Sequence, residues 1–116
     1  MTASRIHTTV MITGDTLGRG DDELGRKLMS KFVRQLSLAD TRPDVVVFYN
    51  TAVRLLAAGS PHLEAFRLLE DAGVELVACG TCVEFFDLSE RMAAGRVSDM
   101  REIAATMLAS ERVLTV

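Results

Sequence analysis

The sequence lacks any long hydrophobic run. Its purely apolar segments, such as residues 45–49, are far shorter than the roughly 20 residues that a membrane-spanning helix needs. Residues 1–5 also lack the apolar core of a signal peptide. We therefore expect a cytoplasmic protein that does not enter a membrane, in a compartment where thiols are kept reduced.

An excess of positive charge is also absent. The net charge is -3 at pH 7, and lysine and arginine alternate with acidic residues instead of forming a basic stripe. Such a surface does not attract a phosphate backbone, so nucleic acid is not an expected partner. With 116 residues, of which 48% are hydrophobic, the chain is long enough for one globular core, and we assign residues 1–116 to a single domain.

Metal ligands are scarce. The chain has two histidines, His7 and His62, and two cysteines, Cys79 and Cys82. Neither histidine has the spacing of a metal-binding motif, and only a symmetric oligomer that brought two cysteine pairs together would supply four thiolates. We therefore expect no metal site.

Glycines cluster in residues 14–20, directly after the first predicted strand. Backbone amides beside a helix N-terminus bind phosphates, but these glycines match neither of the common nucleotide-binding spacings, and acidic residues follow where a phosphate needs positive charge. We therefore expect no nucleotide or other cofactor. We predict instead a structured loop in which Asp15, Thr16 and Arg19 contribute to a pocket.

The hydrophobic pattern alternates strands with helices. Apolar and β-branched runs predict strands at residues 7–13, 45–49, 74–78 and 113–116, with a short strand near 96–98. Helical periodicity predicts helices from residue 21 or 22 to 38, from Ser60–Pro61 to Gly73, and over residues 100–108. This order predicts a three-layer α/β/α sandwich around a mainly parallel sheet of four to five strands.

The predicted sheet brings the unusual segments to one edge. In parallel α/β sheets the functional crevice lies outside the carboxyl ends of the strands. The glycine loop follows the first strand, Asn50 follows the second, and Cys-Gly-Thr-Cys at residues 79–82 follows the third. We therefore expect Asn50 and the glycine loop to shape a pocket around the cysteines.

The Cys-Gly-Thr-Cys segment has several chemical interpretations. Two thiols at this spacing can form a disulfide, share a metal, or pass a sulfur atom between them. A position between a strand and a helix would stabilise a Cys79 thiolate, although a buried cysteine is also a common structural residue. No histidine or basic residue occurs in residues 74–87, which disfavours hydrolysis of the Cys-His kind. Sulfur exchange needs only a thiolate and access to it.

Several segments together resemble a known family. They are Thr-Leu-Gly-Arg-Gly-Asp-Asp-Glu-Leu-Gly at 16–25, Phe-Tyr-Asn at 48–50 with Ala-Val at 52–53, Gly-Ser-Pro at 59–61, Cys-Gly-Thr-Cys at 79–82, and Ala-Ser-Glu-Arg-Val-Leu at 109–114. With these segments the sequence resembles the DsrE superfamily. It is most similar to the DsrE-like domain of the sulfurtransferase-like YedF proteins, which are associated with selenium metabolism.

The resemblance implies a parallel α/β/α fold that assembles as trimers or hexamers. It also implies a role in intracellular sulfur or selenium relay, with other proteins as sulfur donor and acceptor. In sulfur-transferring relatives the reactive cysteine ends the strand that corresponds to residues 74–78, which implies a persulfide on Cys79 with Cys82 as its partner. YedF-type proteins carry an additional TusA-like domain that residues 1–116 do not contain. The alternative is a non-catalytic binding or assembly module, or a thiol redox switch, that uses the same cysteine pair.

Overall fold

The predicted strands and helices form in the expected order. The computed structural model describes residues 6–116. Its strands are β1 (Ile6–Ile12), β2 (Val45–Phe48), β3 (Glu75–Cys79), β4 (Arg96–Ser98) and β5 (Ser110–Thr115). Its helices are α1 (Asp22–Leu38), α2 (Leu63–Asp71), α3 (Gly80–Phe85) and α4 (Met100–Ala109), and a 3₁₀ helix (Asn50–Leu56) follows β2.

The five strands form one sheet in the order β4-β3-β2-β1-β5. Every neighbouring pair is parallel; for example, Thr9 of β1 pairs with Val45 of β2 on one side and with Val113 of β5 on the other. The predicted fold class is therefore confirmed, and the sheet includes the short strand β4. Because the strands are parallel, their carboxyl ends lie along one edge, which we call the carboxyl edge.

Helices cover both faces of the sheet. The larger core forms between the sheet and the helices α1 and α2, whereas α4 covers the opposite face through Ile103. The pleat of each strand sends neighbouring side chains to opposite faces. In β3, Leu76 and Ala78 therefore pack on the α1–α2 side, while Val77 and Cys79 pack on the α4 side.

The path of the chain through the sheet reverses once. It moves in one direction from β1 to β4 and then returns across the sheet to β5. Because parallel crossovers are right-handed, α1 and α2 lie on one face and α4 lies on the other. The connection that leaves β3 packs through Val83 of α3 into the α1–α2 core, whereas the connection that leaves β4 enters α4. This divergence makes β3/β4 a topological switch point, the place where open α/β sheets form ligand crevices.

Two elements start more than one residue away from the sequence-based prediction. The helix predicted to start at Ser60–Pro61 begins at Leu63. Ser60 does not cap it, because its hydroxyl accepts a hydrogen bond from the backbone N–H of His62 at 3.2 Å within the preceding turn. The last strand begins at Ser110 rather than residue 113, because its ladder with β1 starts there.

Candidate functional site

The Cys-Gly-Thr-Cys segment makes the turn from β3 into α3. Cys79 is the last residue of β3, and Gly80 is the first residue of α3. A Cβ atom at Gly80 would lie 3.0 Å from the backbone oxygen of Ser98 in β4. A side chain at position 80 would therefore crowd the backbone of β4, and glycine lets α3 start close against this strand.

Cys79 is buried. It is 1% exposed and belongs to the buried cluster between the sheet and α4 that also contains Val77 and Ile103. This position follows from the pleat of β3, because Cys79 points to the same face as Val77. The cysteine to which the resemblance gives the reactive role thus lies under the surface of the chain.

Cys82 reaches the surface. It is partly exposed and lines a cavity of about 250 Å³ together with Asn50, Thr81, Phe85 and Phe86. We call this cavity the thiol pocket. The backbone N–H of Asn50 donates a hydrogen bond to Cys82 Sγ at 3.0 Å. Both cysteines are free thiols, and they lie close enough for Cys79 to raise the pKa of Cys82. The pair therefore has an inner member, Cys79, and an outer member, Cys82.

The surroundings of Cys82 favour its neutral form. Burial is the main factor that raises the pKa of the Cys82 thiol, and the neighbouring Cys79 raises this pKa further. The hydrogen bond from the backbone N–H of Asn50 acts in the opposite direction and lowers the pKa, because it stabilises negative charge on sulfur. The thiolate of Cys82 consequently forms less readily than that of a free cysteine.

Asn50 contributes to the pocket mainly through its backbone. Its φ angle is 55°, in the left-handed region that asparagine tolerates better than most residues. The side-chain oxygen Oδ1 accepts a hydrogen bond from the backbone N–H of Thr51 at 2.9 Å, which holds this conformation. The strained backbone aims the N–H of Asn50 at Cys82, so the predicted pocket residue lies where expected but acts through its main chain.

The first part of the glycine loop connects to the thiol pocket through Arg54. The backbone N–H of Asp15 donates to Thr51 Oγ1 at 3.0 Å, and the Asp15 carboxylate lies 3.7 Å from the Arg54 guanidinium. Arg54 in turn lies over the ring of Phe86, with 4.3 Å between its Cζ atom and the ring centroid. Asp15 thus supports the wall of the pocket without lining it.

The rest of the loop forms a separate cavity. Thr16 and Arg19 line a space of about 480 Å³ with Thr13, Gly14, Gly18 and Val116, at the ends of β1 and β5. We call it the loop cavity. Thr16 also packs on α1, where a Cβ atom at Gly25 would lie only 2.7 Å from the Thr16 Cβ. The structure therefore does not bring Thr16 and Arg19 together with the cysteines around one cavity.

Sequence reasoning missed three residues of the site. Arg54 lies in a 3₁₀ helix that no periodicity predicted, and its contact with Phe86 is long-range. The adjacent aromatic pair Phe85–Phe86, one turn after Cys82 in a chain that is only 5% aromatic, was the available sequence signal. Phe85 is 81% exposed at the edge of the thiol pocket, which is unusual for a large apolar side chain.

The histidines have structural contacts. His7 Nδ1 lies 3.2 Å from a carboxylate oxygen of Glu111, and the ring of His62 packs edge-on against Phe66. Over residues 6–116, the structure contains no group of three or more histidine, cysteine, aspartate or glutamate side chains that could hold a metal ion. Within the same residues, no helix has the length and apolar character needed to cross a membrane.

Comparison with solved structures identifies similar folds. The YchN protein from E. coli superposes with a TM-score of 0.73 at 16% sequence identity, over 96% of this chain and 99% of YchN. MTH1491 from Methanobacterium thermoautotrophicum, a protein of unknown function, superposes with a TM-score of 0.64 at 21% identity, over 92% of this chain and 98% of MTH1491. At these identities the similarity shows a shared fold.

Comparison with models of protein families shows the family to which the chain is related. No curated protein matches the sequence. The model of the DsrE/DsrF-like family matches residues 19–116, a range that includes the thiol pocket and all secondary-structure elements after β1. The chain therefore belongs to the DsrE/DsrF-like family.

Proposed function

We propose that this protein is a sulfurtransferase-like carrier that holds sulfane sulfur as a persulfide on one thiol of the Cys79–Cys82 pair. Membership of the DsrE/DsrF-like family suggests a sulfur-related function. The observation that carries the more specific proposal is the pair itself: two free thiols close together where β3 turns into α3, one of them open to a pocket.

The reaction requires few groups from the protein. A cysteine thiolate of the carrier attacks the terminal sulfur of a donor persulfide, the sulfur–sulfur bond of the donor breaks, and the donor thiolate leaves. The carrier gains one sulfur atom, and no external oxidant or reductant is consumed. Delivery repeats the step with an acceptor thiolate as the nucleophile. Residues 74–87 contain no histidine or basic side chain, which suits this reaction better than one that needs a general base.

The dimensions of the thiol pocket support a small cargo. A cavity of about 250 Å³ lies below the usual range for small-molecule sites, which begins at roughly 300 Å³. Phe85 and Phe86 give a bound sulfur atom apolar neighbours. The backbone N–H of Asn50 offers a hydrogen bond to a negatively charged sulfur at the same place. Selenium in place of sulfur would use the same contacts.

The proposed partners are a sulfur donor protein, a sulfur acceptor protein and further copies of this chain, in the cytoplasm. Exposed apolar side chains on α4 and β5 support assembly into a trimer or hexamer, because Met100, Leu108 and Leu114 are 51%, 88% and 44% exposed. Light scattering coupled to size-exclusion chromatography measures the assembly, and a monomer at micromolar concentration contradicts this part of the proposal.

Loading with a small persulfide donor tests the function. After incubation with inorganic polysulfide and removal of the excess, intact mass spectrometry should show a gain of about 32 Da that a thiol reductant reverses. The control is the double variant Cys79→Ser with Cys82→Ser. A wild-type protein that gains no more mass than this control does not carry sulfur on the pair. Loading with a selenium-containing donor in parallel compares the two elements.

A thiol redox switch is the second candidate function. The raised pKa of Cys82 and the contact between the two thiols favour it, because a carrier benefits from a thiolate near neutral pH whereas a switch needs only two thiols that can close a disulfide. Equilibration with dithiol buffers measures the reduction potential of the pair. A switch should lie within the cytosolic range of about -220 to -320 mV. A pair that forms no disulfide across this range eliminates the switch.

A further inference from the structure

The two cysteines differ in access to the pocket. Cys79 is 1% exposed and packs among apolar side chains between the sheet and α4. Cys82 is partly exposed and lines the thiol pocket. A donor persulfide must bring its terminal sulfur into line with the attacking sulfur of this chain. Because Cys82 is open to the pocket, the donor can reach it without a rearrangement of the core.

The two positions also differ in room for an added atom. Cys79 belongs to the buried cluster on the α4 side of the sheet that also contains Val77 and Ile103, and extra atoms in a close-packed core force neighbours apart. Cys82 faces a cavity of about 250 Å³, which accommodates a sulfur atom without displacing a side chain. A persulfide therefore fits on Cys82 and would be crowded on Cys79.

Cys82 receives a further contact that suits its thiolate, the form that attacks the donor and is released on delivery. The backbone N–H of Asn50 lies 3.0 Å from Cys82 Sγ and stabilises negative charge there. The left-handed conformation of Asn50 is what aims this N–H, and strained backbone of this kind is concentrated at functional sites. Among residues 6–116, no backbone N–H donates a hydrogen bond to Cys79 Sγ in an equivalent way.

Building on the proposed sulfur relay, we propose that Cys82 is the thiol that carries the sulfur and that Cys79 is its buried partner. This assignment differs from the one implied by the family resemblance, which gives the persulfide to Cys79. The Cys82 thiolate attacks the terminal sulfur of the donor, the donor thiolate leaves, and the new persulfide lies in the thiol pocket. An acceptor thiolate then attacks the terminal sulfur, and Cys82 is released as a thiolate. Cys79 remains a thiol throughout and lies buried beside Cys82.

Single variants separate the two assignments. Inorganic polysulfide is the sulfur source, and the rate of mass gain is followed by intact mass spectrometry with peptide mapping of the modified cysteine. Cys82→Ser should load at least about tenfold more slowly than wild type, because its remaining thiol is buried. Cys79→Ala should load at the wild-type rate or faster, because Cys79 raises the pKa of Cys82. Cys79→Ser serves as a second variant in case alanine leaves a disruptive cavity.

The outcomes distinguish this inference from the function on which it rests. If wild type gains no sulfur, the proposed sulfur relay fails. If wild type loads, and Cys82→Ser loads as fast while the modified peptide contains Cys79, the relay stands and the assignment to Cys82 is wrong. Circular dichroism and thermal melts of each variant show that a loss of loading comes from the missing thiol and not from unfolding.

Discussion

The thiol pocket and the loop cavity lie on the same carboxyl edge but are built differently. The thiol pocket, at the ends of β2 and β3, has a sulfur atom, two aromatic rings and a backbone N–H aimed at the sulfur. The loop cavity, at the ends of β1 and β5, is larger, at about 480 Å³ against about 250 Å³, and has glycines, threonines and Arg19 on its walls. No cysteine is among the residues that line the loop cavity.

This difference shows the limit of the rule that places active sites at the carboxyl edge. The rule correctly brings all three unusual segments to one edge, since the strands are parallel. It does not say which segments share a cavity. Here the Cys-Gly-Thr-Cys segment follows β3 and shares a pocket with Asn50, which follows β2, whereas Thr16 and Arg19 line a cavity at the ends of β1 and β5.

Titration of the thiol pocket should give the largest effect. Iodoacetamide reacts with the thiolate form of Cys82 and not with the neutral thiol. Because burial raises the pKa of Cys82, the neutral thiol predominates at neutral pH. Because the thiolate fraction grows with pH below the pKa, the alkylation rate of Cys82 should rise about tenfold per pH unit, or roughly 100-fold from pH ~7 to ~9. After timed iodoacetamide labelling, fragmentation of the peptide that contains both cysteines in a tandem mass spectrometer measures Cys82 separately from Cys79. A rate that is already constant above neutral pH contradicts the raised pKa.

The next largest effect concerns the packing of the glycine loop on α1. In Gly25→Ala the new Cβ would lie 2.7 Å from Thr16 Cβ, so the loop must move away from the helix. Overpacking of this kind typically costs about 1–3 kcal/mol, which exceeds the gain of roughly 1 kcal/mol in helix propensity. We expect a net loss of about 1 kcal/mol in the free energy of unfolding by urea denaturation, with no change in the alkylation rate of Cys82. Arg26→Ala, at an exposed position of α1, is the matched control and should be nearly neutral.

A smaller effect is expected at Asn50, on the side of the thiol pocket. Asn50→Ala keeps the backbone N–H but places alanine at a φ angle of 55° and removes the hydrogen bond to Thr51. We expect a loss of somewhat less than about 1 kcal/mol of stability and a change of Cys82 alkylation by a factor of about three. Asn50→Gly, which accepts this φ angle, is the control and should retain more of the wild-type alkylation rate. Equal behaviour of the two variants would show that the backbone conformation does not position the N–H.

The smallest effect is expected in the loop cavity. Arg19 is exposed and lines the loop cavity, not the thiol pocket. Arg19→Ala should leave the rate of loading with inorganic polysulfide within about twofold of wild type, since an exposed charge outside the pocket is screened by solvent. A large decrease in the loading rate would contradict the separation of the two cavities, because it would show that both belong to one functional site.

Several parts of the fold could be predicted from local sequence. The run at residues 45–49 predicts a strand buried on both faces, and β2 is buried along its whole length. Acidic residues before the stripe of α1 predict its start, and Asp21 caps the helix by accepting a hydrogen bond from Leu24 N–H at 2.8 Å. Such features are determined by neighbours in sequence. The start of α2 was predicted wrongly, because Ser60 satisfies the N–H of His62 within a turn and does not cap the helix.

The sequence by itself determined the α/β sandwich, the parallel sheet and the position of the cysteine pair at its carboxyl edge, because periodicity and strand order depend on residues close along the chain. Only the tertiary structure decided that Cys79 points into the α4-side core and that Cys82 opens into a pocket with Asn50 and Phe86. The same applies to the contact of Arg54 with Phe86. The physical reason is that burial and pocket walls come from residues on different elements, whose distances are fixed only when the sheet and its helices pack together.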